Sequence, residues 1–140
     1  MYGMIILGAG IGLMIGIMDQ TGMIYLITGV LSELSVGSPI ALLIMTAVLC
    51  IILGMGMPTG AAYLVVAIIT TPSLIEVGFA EIWAHMFVLY FATLSMITPP
   101  VAIAAFAAAK MTDTNPITTS LTSMYIAWPL YVLPFIFVWF

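Results

Sequence analysis

The chain has 140 residues, of which 65% are hydrophobic, with one lysine and five acidic residues as its only charged side chains. A soluble domain is typically about 25% charged, against 4% here, so a water-soluble globular protein and a disordered tail are both excluded. One basic residue cannot neutralise nucleic-acid phosphates, and apolar runs near or above the roughly 20 residues of a spanning helix predict an all-α integral membrane protein.

The N-terminal part predicts two helices and the start of a third. Residues 2–18 are apolar throughout and read as most of a spanning helix, which ends at a polar turn over 19–22. A helix with a weaker pattern follows over 23–34, and a loop over 36–39 leads into the third helix. In that loop Ser38 is predicted to cap the third helix with its hydroxyl, and Pro39 to be its first residue.

The next apolar run is too long for one helix and short for two spans with a connection. Residues 54–60, Gly-Met-Gly-Met-Pro-Thr-Gly, interrupt it, because three glycines and a proline disfavour continuous helix. The flanking arms, 39–53 and 61–71, would measure about 22 and 16 Å, less than a bilayer core of about 30 Å. The sequence therefore predicts a re-entrant hairpin over 39–72. A kinked helix followed by a short surface segment is the alternative.

A second interruption lies in the third apolar run. Thr98-Pro99-Pro100 divides residues 82–109, which are together long enough to span, so this run predicts one discontinuous transmembrane helix. A polar loop over 110–123 and a last spanning helix over 124–140 are predicted to follow. The aromatic residues of that last helix, Tyr131 among them, fit the belts found at membrane interfaces.

The two interruptions offer ligands for a small cation. Unpaired backbone survives at membrane depth only where protein covers it or water reaches it. Prolines at 99 and 100 release the carbonyls of Ser95 and Met96, and the hydroxyls of Thr59, Ser95 and Thr98 lie in the same stretches. Carbonyl and hydroxyl oxygens are hard ligands, so these residues predict an alkali-cation site.

The helix starts beyond each interruption suit an anion. Free N–H groups and a positive dipole end are expected near Gly60-Ala61 and near Val101-Ala102. Paired discontinuous helices of this kind point to the midplane site of a secondary transporter. Channels also use broken helices, so the pattern alone leaves both classes open.

Other chemistries fit less well. An intramembrane aspartyl protease needs two embedded aspartates, whereas Asp19 and Asp113 fall at predicted helix ends. His85 has no Gly-x-Ser-x-Gly nucleophile motif to serve, and the methionines are too scattered for soft-metal transport. We predict no enzyme and no cofactor.

Three ordered motifs carry a family resemblance: Leu53-Gly-Met-Gly-Met-Pro-Thr-Gly-Ala-Ala-Tyr63, Ala84-His-Met-Phe-Val-Leu-Tyr90 and Ile97-Thr-Pro-Pro-Val-Ala102. Together with residues 129–138 they resemble the large membrane subunit of tripartite ATP-independent periplasmic (TRAP) transporters. The closest likeness is to the fused permeases that work with TAXI-type periplasmic binding proteins. By this resemblance the chain is a C-terminal fragment of a permease, one half of an inverted-repeat transporter, with the first repeat missing.

The resemblance implies sodium-coupled import of an organic anion, commonly a carboxylate, in the bacterial inner membrane. The implied partners are a TAXI-type binding protein, the remainder of the permease and the lipid bilayer, and no nucleic acid. The sodium-site region would comprise Gly54, Met57, Pro58, Thr59, Ser95, Ile97, Thr98 and Pro99. The substrate would contact Thr59, Gly60, Ala61, Thr98, Pro100 and Val101.

Two further hypotheses stay open at this point. One is another ion-coupled organic-anion carrier with the same hairpin architecture. The other is a membrane assembly subunit that does not transport, for which the missing half and the residues Gly8, Gly12 and Gly16 are the support. These glycines share one face of the first helix, in the small-xxx-small pattern that lets two membrane helices approach closely.

Overall fold

A computed structural model describes residues 2–35 and 38–139 of the chain. Within them the protein is all-helical, without strands, as the sequence predicts. The helices are α1 (Tyr2–Gln20), α2 (Met23–Ser35), α3 (Pro39–Gly54), α4 (Thr59–Glu76), α5 (Glu81–Leu94), α6 (Ile103–Met111), α7 (Pro116–Ile126) and α8 (Trp128–Phe137).

Length and apolar composition identify few complete membrane spans. Among the described residues α4 is the one helix that is long and apolar enough to cross a membrane by itself. Two bent pairs pass the same test together, α1 with α2 at a 73° bend and α7 with α8 at a 43° bend. The helices α3 and α5 are apolar but shorter. This pattern of bent and broken helices agrees with a membrane transporter fragment.

The core lies where α3, α4 and α5 pack against one another, with α2 beside them. Its largest fully buried side chains include Phe87 and Phe91 of α5, whose ring centroids lie 4.9 Å apart. Phe135 of α8 packs edge-on against both rings, at 5.3 Å from Phe87 and 5.7 Å from Phe91. Aromatic pairs favour such edge-to-face arrangements, so this cluster fixes α8 against α5.

The second arm of the predicted hairpin is longer in the structure than the sequence predicts. The arm was predicted to end at residue 71, but α4 continues through Pro72 to Glu76 and is 18 residues long, about 27 Å. A proline removes one helical hydrogen bond without forcing the helix to end, and packing on both sides of Pro72 holds α4 together. By length and composition α3 is therefore too short to span a bilayer core, whereas α4 is long and apolar enough to do so. The re-entrant path over 39–72 stays a prediction.

The predicted polar loop over 110–123 is wrong in its second half, where α7 begins at Pro116. Asn115 caps this helix, because its side-chain oxygen accepts hydrogen bonds from the N–H groups of Ile117 at 3.0 Å and Thr118 at 3.3 Å. The predicted single helix over 124–140 is likewise divided, at Ala127, into α7 and α8.

Smaller differences occur at the first helices. The predicted turn over 19–22 is shorter in the structure, where α1 runs to Gln20 and Gly22 adopts a left-handed φ of 71° before α2. Pro39 is the first residue of α3, as predicted, but Ser38 makes no side-chain capping bond. Residues 36 and 37 of the predicted loop lie outside the described residues. The space around Gly8, Gly12 and Gly16 is open for at least 4 Å among described atoms, so their packing role stays a prediction.

Candidate functional site

The end of α3 is in direct contact with the start of the break between α5 and α6. A methyl group placed on Gly54 would lie 2.5 Å from Ser95 Oγ and 2.9 Å from Ser95 Cβ. Real Cβ atoms essentially never approach that closely, so only glycine fits here without movement. Gly54 and Ser95 are both buried, and Ser95 is only 1% exposed. The hairpin and the broken helix therefore meet at this pair.

A second contact extends the junction along the turn. Gly56 adopts a left-handed φ of 81°, and a methyl group there would lie 3.9 Å from Val101 Cγ1. The turn over 55–58 thus lies alongside the break over 95–102. The two interruptions predicted from the sequence are adjacent in space, and we call this place the two-break junction.

The turn keeps several backbone groups available. Pro58 O accepts hydrogen bonds from the N–H groups of Ala61 and Ala62 at 2.9 and 3.0 Å, which starts α4. Within residues 2–35 and 38–139, the N–H groups of Thr59 and Gly60 donate to no backbone oxygen, and the carbonyls of residues 55–57 accept no backbone bond. The turn therefore presents donors at its α4 end and acceptors before it.

The break corrects the prediction of which carbonyls are free. The carbonyls of Ser95 and Met96 are not unpaired, because they accept bonds from Thr98 N at 3.3 Å and from Ala104 N at 3.0 Å. The second of these bonds reaches across the whole break, which the prediction from proline spacing did not include. Within the break, among the described residues, the carbonyls that accept no backbone bond are those of residues 97–101. The Pro99–Pro100 peptide is cis.

Beyond the break, as at the α4 end of the turn, several backbone N–H groups have no backbone acceptor. Among the described residues, Val101, Ala102 and Ile103 donate to no backbone oxygen, and α6 begins at the last of them. The charged side chains of the sequence all lie outside the runs 34–75 and 82–109 that hold the junction. The local electrostatic field therefore comes from carbonyl and N–H dipoles and from the helix ends.

The hydroxyl groups of Ser95 and Thr98 in the break each donate their one proton to a backbone carbonyl. Ser95 Oγ donates to Ala92 O at 2.7 Å, and Thr98 Oγ1 donates to Leu94 O at 2.7 Å. A hydroxyl carries one proton and two lone pairs, so these oxygens can only accept from, or coordinate, a further partner. Thr98 Oγ1 also lies 2.7 Å from the hydroxyl oxygen of Tyr131 on α8.

Tyr131 is a site neighbour that the sequence did not indicate. It was predicted only as part of an interfacial aromatic belt, and it contacts a residue 33 positions away. The sequence indicates only that Tyr131 and Phe135, four residues apart, lie on one helix face. Because Phe135 belongs to the α5 cluster, that face is the one turned toward the broken helix.

The predicted site residues differ in burial. At the junction itself Gly54, Ala61, Ser95 and Thr98 are buried. Four more are half-buried, namely Met57, Thr59, Ile97 and Pro99. The remaining four are exposed: Pro58, Gly60, Pro100 and Val101. The approach of Gly54 to Ser95 is thus buried, whereas the approach of Gly56 to Val101 joins two exposed residues.

His85 lies apart from the junction and has a partner. Its Nδ1 lies 3.0 Å from the hydroxyl oxygen of Tyr63, which joins α5 to α4. Both residues are half-buried. The described residues contain no group of three or more His, Cys, Asp or Glu side chains placed to hold a metal ion. The contact with Tyr63 gives His85 a structural partner that links α5 to α4.

Comparison with known proteins identifies a family for the chain. A family model described as "Tripartite ATP-independent periplasmic transporter, DctM component" matches residues 2–140. No curated protein and no solved structure matches the chain.

Proposed function

Because the chain belongs to the DctM component family of tripartite ATP-independent periplasmic transporters, we propose that it forms part of a sodium-coupled permease that imports organic anions. Transporters of this family work with a periplasmic binding protein and with other membrane components. The observation that carries the proposal is the contact of Gly54 with Ser95, which brings two helix breaks together in one junction.

Sodium is the coupling ion that we propose for the junction. The available groups are neutral oxygens, namely the carbonyls of residues 55–57 and 97–101 and the lone pairs of Ser95 and Thr98. Unwound carbonyls and helix ends coordinate sodium in secondary transporters. A divalent cation would call for carboxylates, and the junction offers none. The proposed cation-binding region is Gly54, Met57, Pro58, Thr59, Ser95, Ile97, Thr98 and Pro99.

A small carboxylate is the substrate that we propose for the N–H donors of the junction. The unpaired N–H groups of Thr59 and Gly60, and those of residues 101–103, lie at the starts of α4 and α6. Helix N-termini favour anions through these donors and through the helix dipole. The proposed substrate contacts are Thr59, Gly60, Ala61, Thr98, Pro100 and Val101. The N–H of Ala61 donates to Pro58 O, so its contribution would be its small side chain.

The remaining parts of the proposal concern the assembly. We assign the chain to the second of two inverted repeats, as a multi-pass protein of the bacterial inner membrane. The first repeat would complete the substrate site, and a TAXI-type binding protein would deliver the substrate. The break geometry supports this assignment because each repeat of such a transporter contributes broken helices to a shared midplane site.

Transport in reconstituted vesicles tests the proposal. The transporter that contains this chain is incorporated with its binding protein, and carboxylate uptake is measured against the external sodium concentration. Thr59→Ala and Thr98→Ala should raise the sodium concentration for half-maximal uptake several-fold, because each removes an oxygen at the junction. Thr122→Ala, on the exposed face of α7, is the matched control. Uptake by the wild-type protein that is unaffected by replacing sodium with choline would overturn sodium coupling.

A further inference from the structure

We infer that Tyr131 is a positioning residue for the cation site, acting through the hydroxyl of Thr98. The inference rests on the proposed sodium coupling and adds a residue from α8, which lies outside both breaks. In this arrangement Tyr131 fixes the direction in which Thr98 Oγ1 presents its last lone pair. It is not itself a ligand of the cation.

Proton counting sets the direction of the bond between these residues. Thr98 Oγ1 has one proton, and the 2.7 Å contact with Leu94 O requires that proton, since a carbonyl oxygen cannot donate. The 2.7 Å contact between Thr98 Oγ1 and the Tyr131 hydroxyl must therefore be a donation from Tyr131. Of the two lone pairs on Thr98 Oγ1, Tyr131 occupies one and the other remains.

Leu94 is excluded as an alternative ligand by the same count. Its carbonyl accepts both the Thr98 hydroxyl at 2.7 Å and the N–H of Ile97 at 3.1 Å. Both lone pairs of that oxygen are thus in use. At the start of the break the remaining lone pair of Thr98 Oγ1 is consequently one of the few side-chain acceptors, and its orientation depends on two bonds, to Leu94 and to Tyr131.

Tyr131 is anchored on α8 by aromatic packing against α5. Phe135, one helical turn after Tyr131, packs against Phe87 and Phe91 of α5. Thr98 follows the end of the same α5 helix, so α5, the break, Tyr131 and α8 form a closed set of contacts. Thr98 is 8% exposed, which keeps competing water from most of its surface. A shift of the break relative to α8 would break the Tyr131 bond, and this is why the bond can hold the lone pair in place.

Sodium binding to the purified transporter tests this inference without a substrate. Sodium chloride is titrated against the intrinsic tryptophan fluorescence of the protein in detergent, with choline chloride keeping the ionic strength constant. Tyr131→Phe keeps the ring and removes the donor, and it should raise the half-saturating sodium concentration about five-fold, the equivalent of one hydrogen bond. Tyr125→Phe, an 80% exposed tyrosine of α7, is the matched control and should match the wild type.

A double variant separates positioning from general structure. Thr98→Val should weaken sodium binding, and adding Tyr131→Phe to it should cause no further loss, because the donor then has no acceptor to orient. Thr98→Ser restores a hydroxyl and should restore the effect of Tyr131→Phe. An unchanged half-saturating concentration in Tyr131→Phe, or a full additional loss in the double variant, would overturn the inference. Wild-type protein that shows no sodium response would instead overturn the proposed coupling ion itself.

Discussion

Gly54 and Ser95 are packed so closely that a methyl group on the glycine would overlap the serine side chain, at 2.5 Å from its Oγ. The pair joins the last residue of α3 to the first residue after α5, so it ties the hairpin turn to the broken helix. Since both residues are buried, neither can move into solvent to relieve a clash.

Gly54→Ala should therefore destabilise the protein and disturb the junction. Overpacking a tight site costs typically 1–3 kcal/mol, and a lower thermal unfolding midpoint in detergent is the measurement. Adding Ser95→Gly removes both the Oγ and Cβ atoms that the new methyl group meets, so the double variant should regain part of the loss. Equal midpoints for the single and double variants would contradict the packing argument.

Gly29→Ala provides the control for that experiment. Gly29 lies inside α2, and a methyl group there meets no described atom within 4 Å outside its own stretch of helix. Alanine favours helix over glycine by about 0.8–1.0 kcal/mol, so this variant should be as stable as the wild type or slightly more stable. The comparison distinguishes a steric effect at Gly54 from a general effect of replacing glycine.

At Gly56 the backbone conformation, and not the size of the new side chain, should determine which substitutions are tolerated. Its φ of 81° is left-handed, and the nearest atom to a built methyl group is 3.9 Å away. Left-handed backbone costs roughly 1–2 kcal/mol for most residues, while asparagine adopts it more readily. We expect Gly56→Ala and Gly56→Val to lower the unfolding midpoint and Gly56→Asn to lower it less. An equal loss in all three would argue against conformational strain.

The positions of both breaks could be predicted from the sequence because their causes are local. Pro58 and the tandem prolines at 99 and 100 lack the N–H that a continuing helix needs, and glycines flank the first break. The all-helical class follows equally directly from composition. Pro72 shows the limit of this reasoning, since α4 continues past it where packing on neighbouring helices outweighs one missing hydrogen bond.

The contacts between the breaks could not be predicted in the same way. The approach of Gly54 to Ser95 and the bond from Tyr131 to Thr98 join residues 33 or more positions apart. Such contacts depend on how whole helices pack, which no single motif encodes. The carbonyl assignment failed in two ways: Ser95 O is paired by Thr98 N in a local turn, and Met96 O is paired by Ala104 N because the chain folds back over the break.

Asn115 should determine whether α7 forms at its first turn. Its side-chain oxygen satisfies two N–H groups that would otherwise lack a partner at the helix start. Replacing such a cap by alanine costs about 1 kcal/mol, so Asn115→Ala should lower the unfolding midpoint, and Asn115→Asp should preserve most of the stability. The exposed Thr118→Ala is a control on the same turn. If both alanine variants lose equal stability, the cap is not the cause.

The bond between Tyr63 and His85 should contribute to stability and not to transport. It joins α4 to α5 at 3.0 Å, separate from the groups that form the two-break junction. Tyr63→Phe removes the hydroxyl and leaves His85 Nδ1 without its partner, and a net hydrogen bond is worth about 1 kcal/mol. His85→Phe should cost a similar amount, and the double variant should cost less than the two single costs combined, because both variants remove the same bond.

Unfolding midpoints of the four proteins measure this coupling, and sodium-driven uptake should keep its wild-type sodium dependence. A changed sodium dependence in Tyr63→Phe would show instead that the two polar centres are linked through α4.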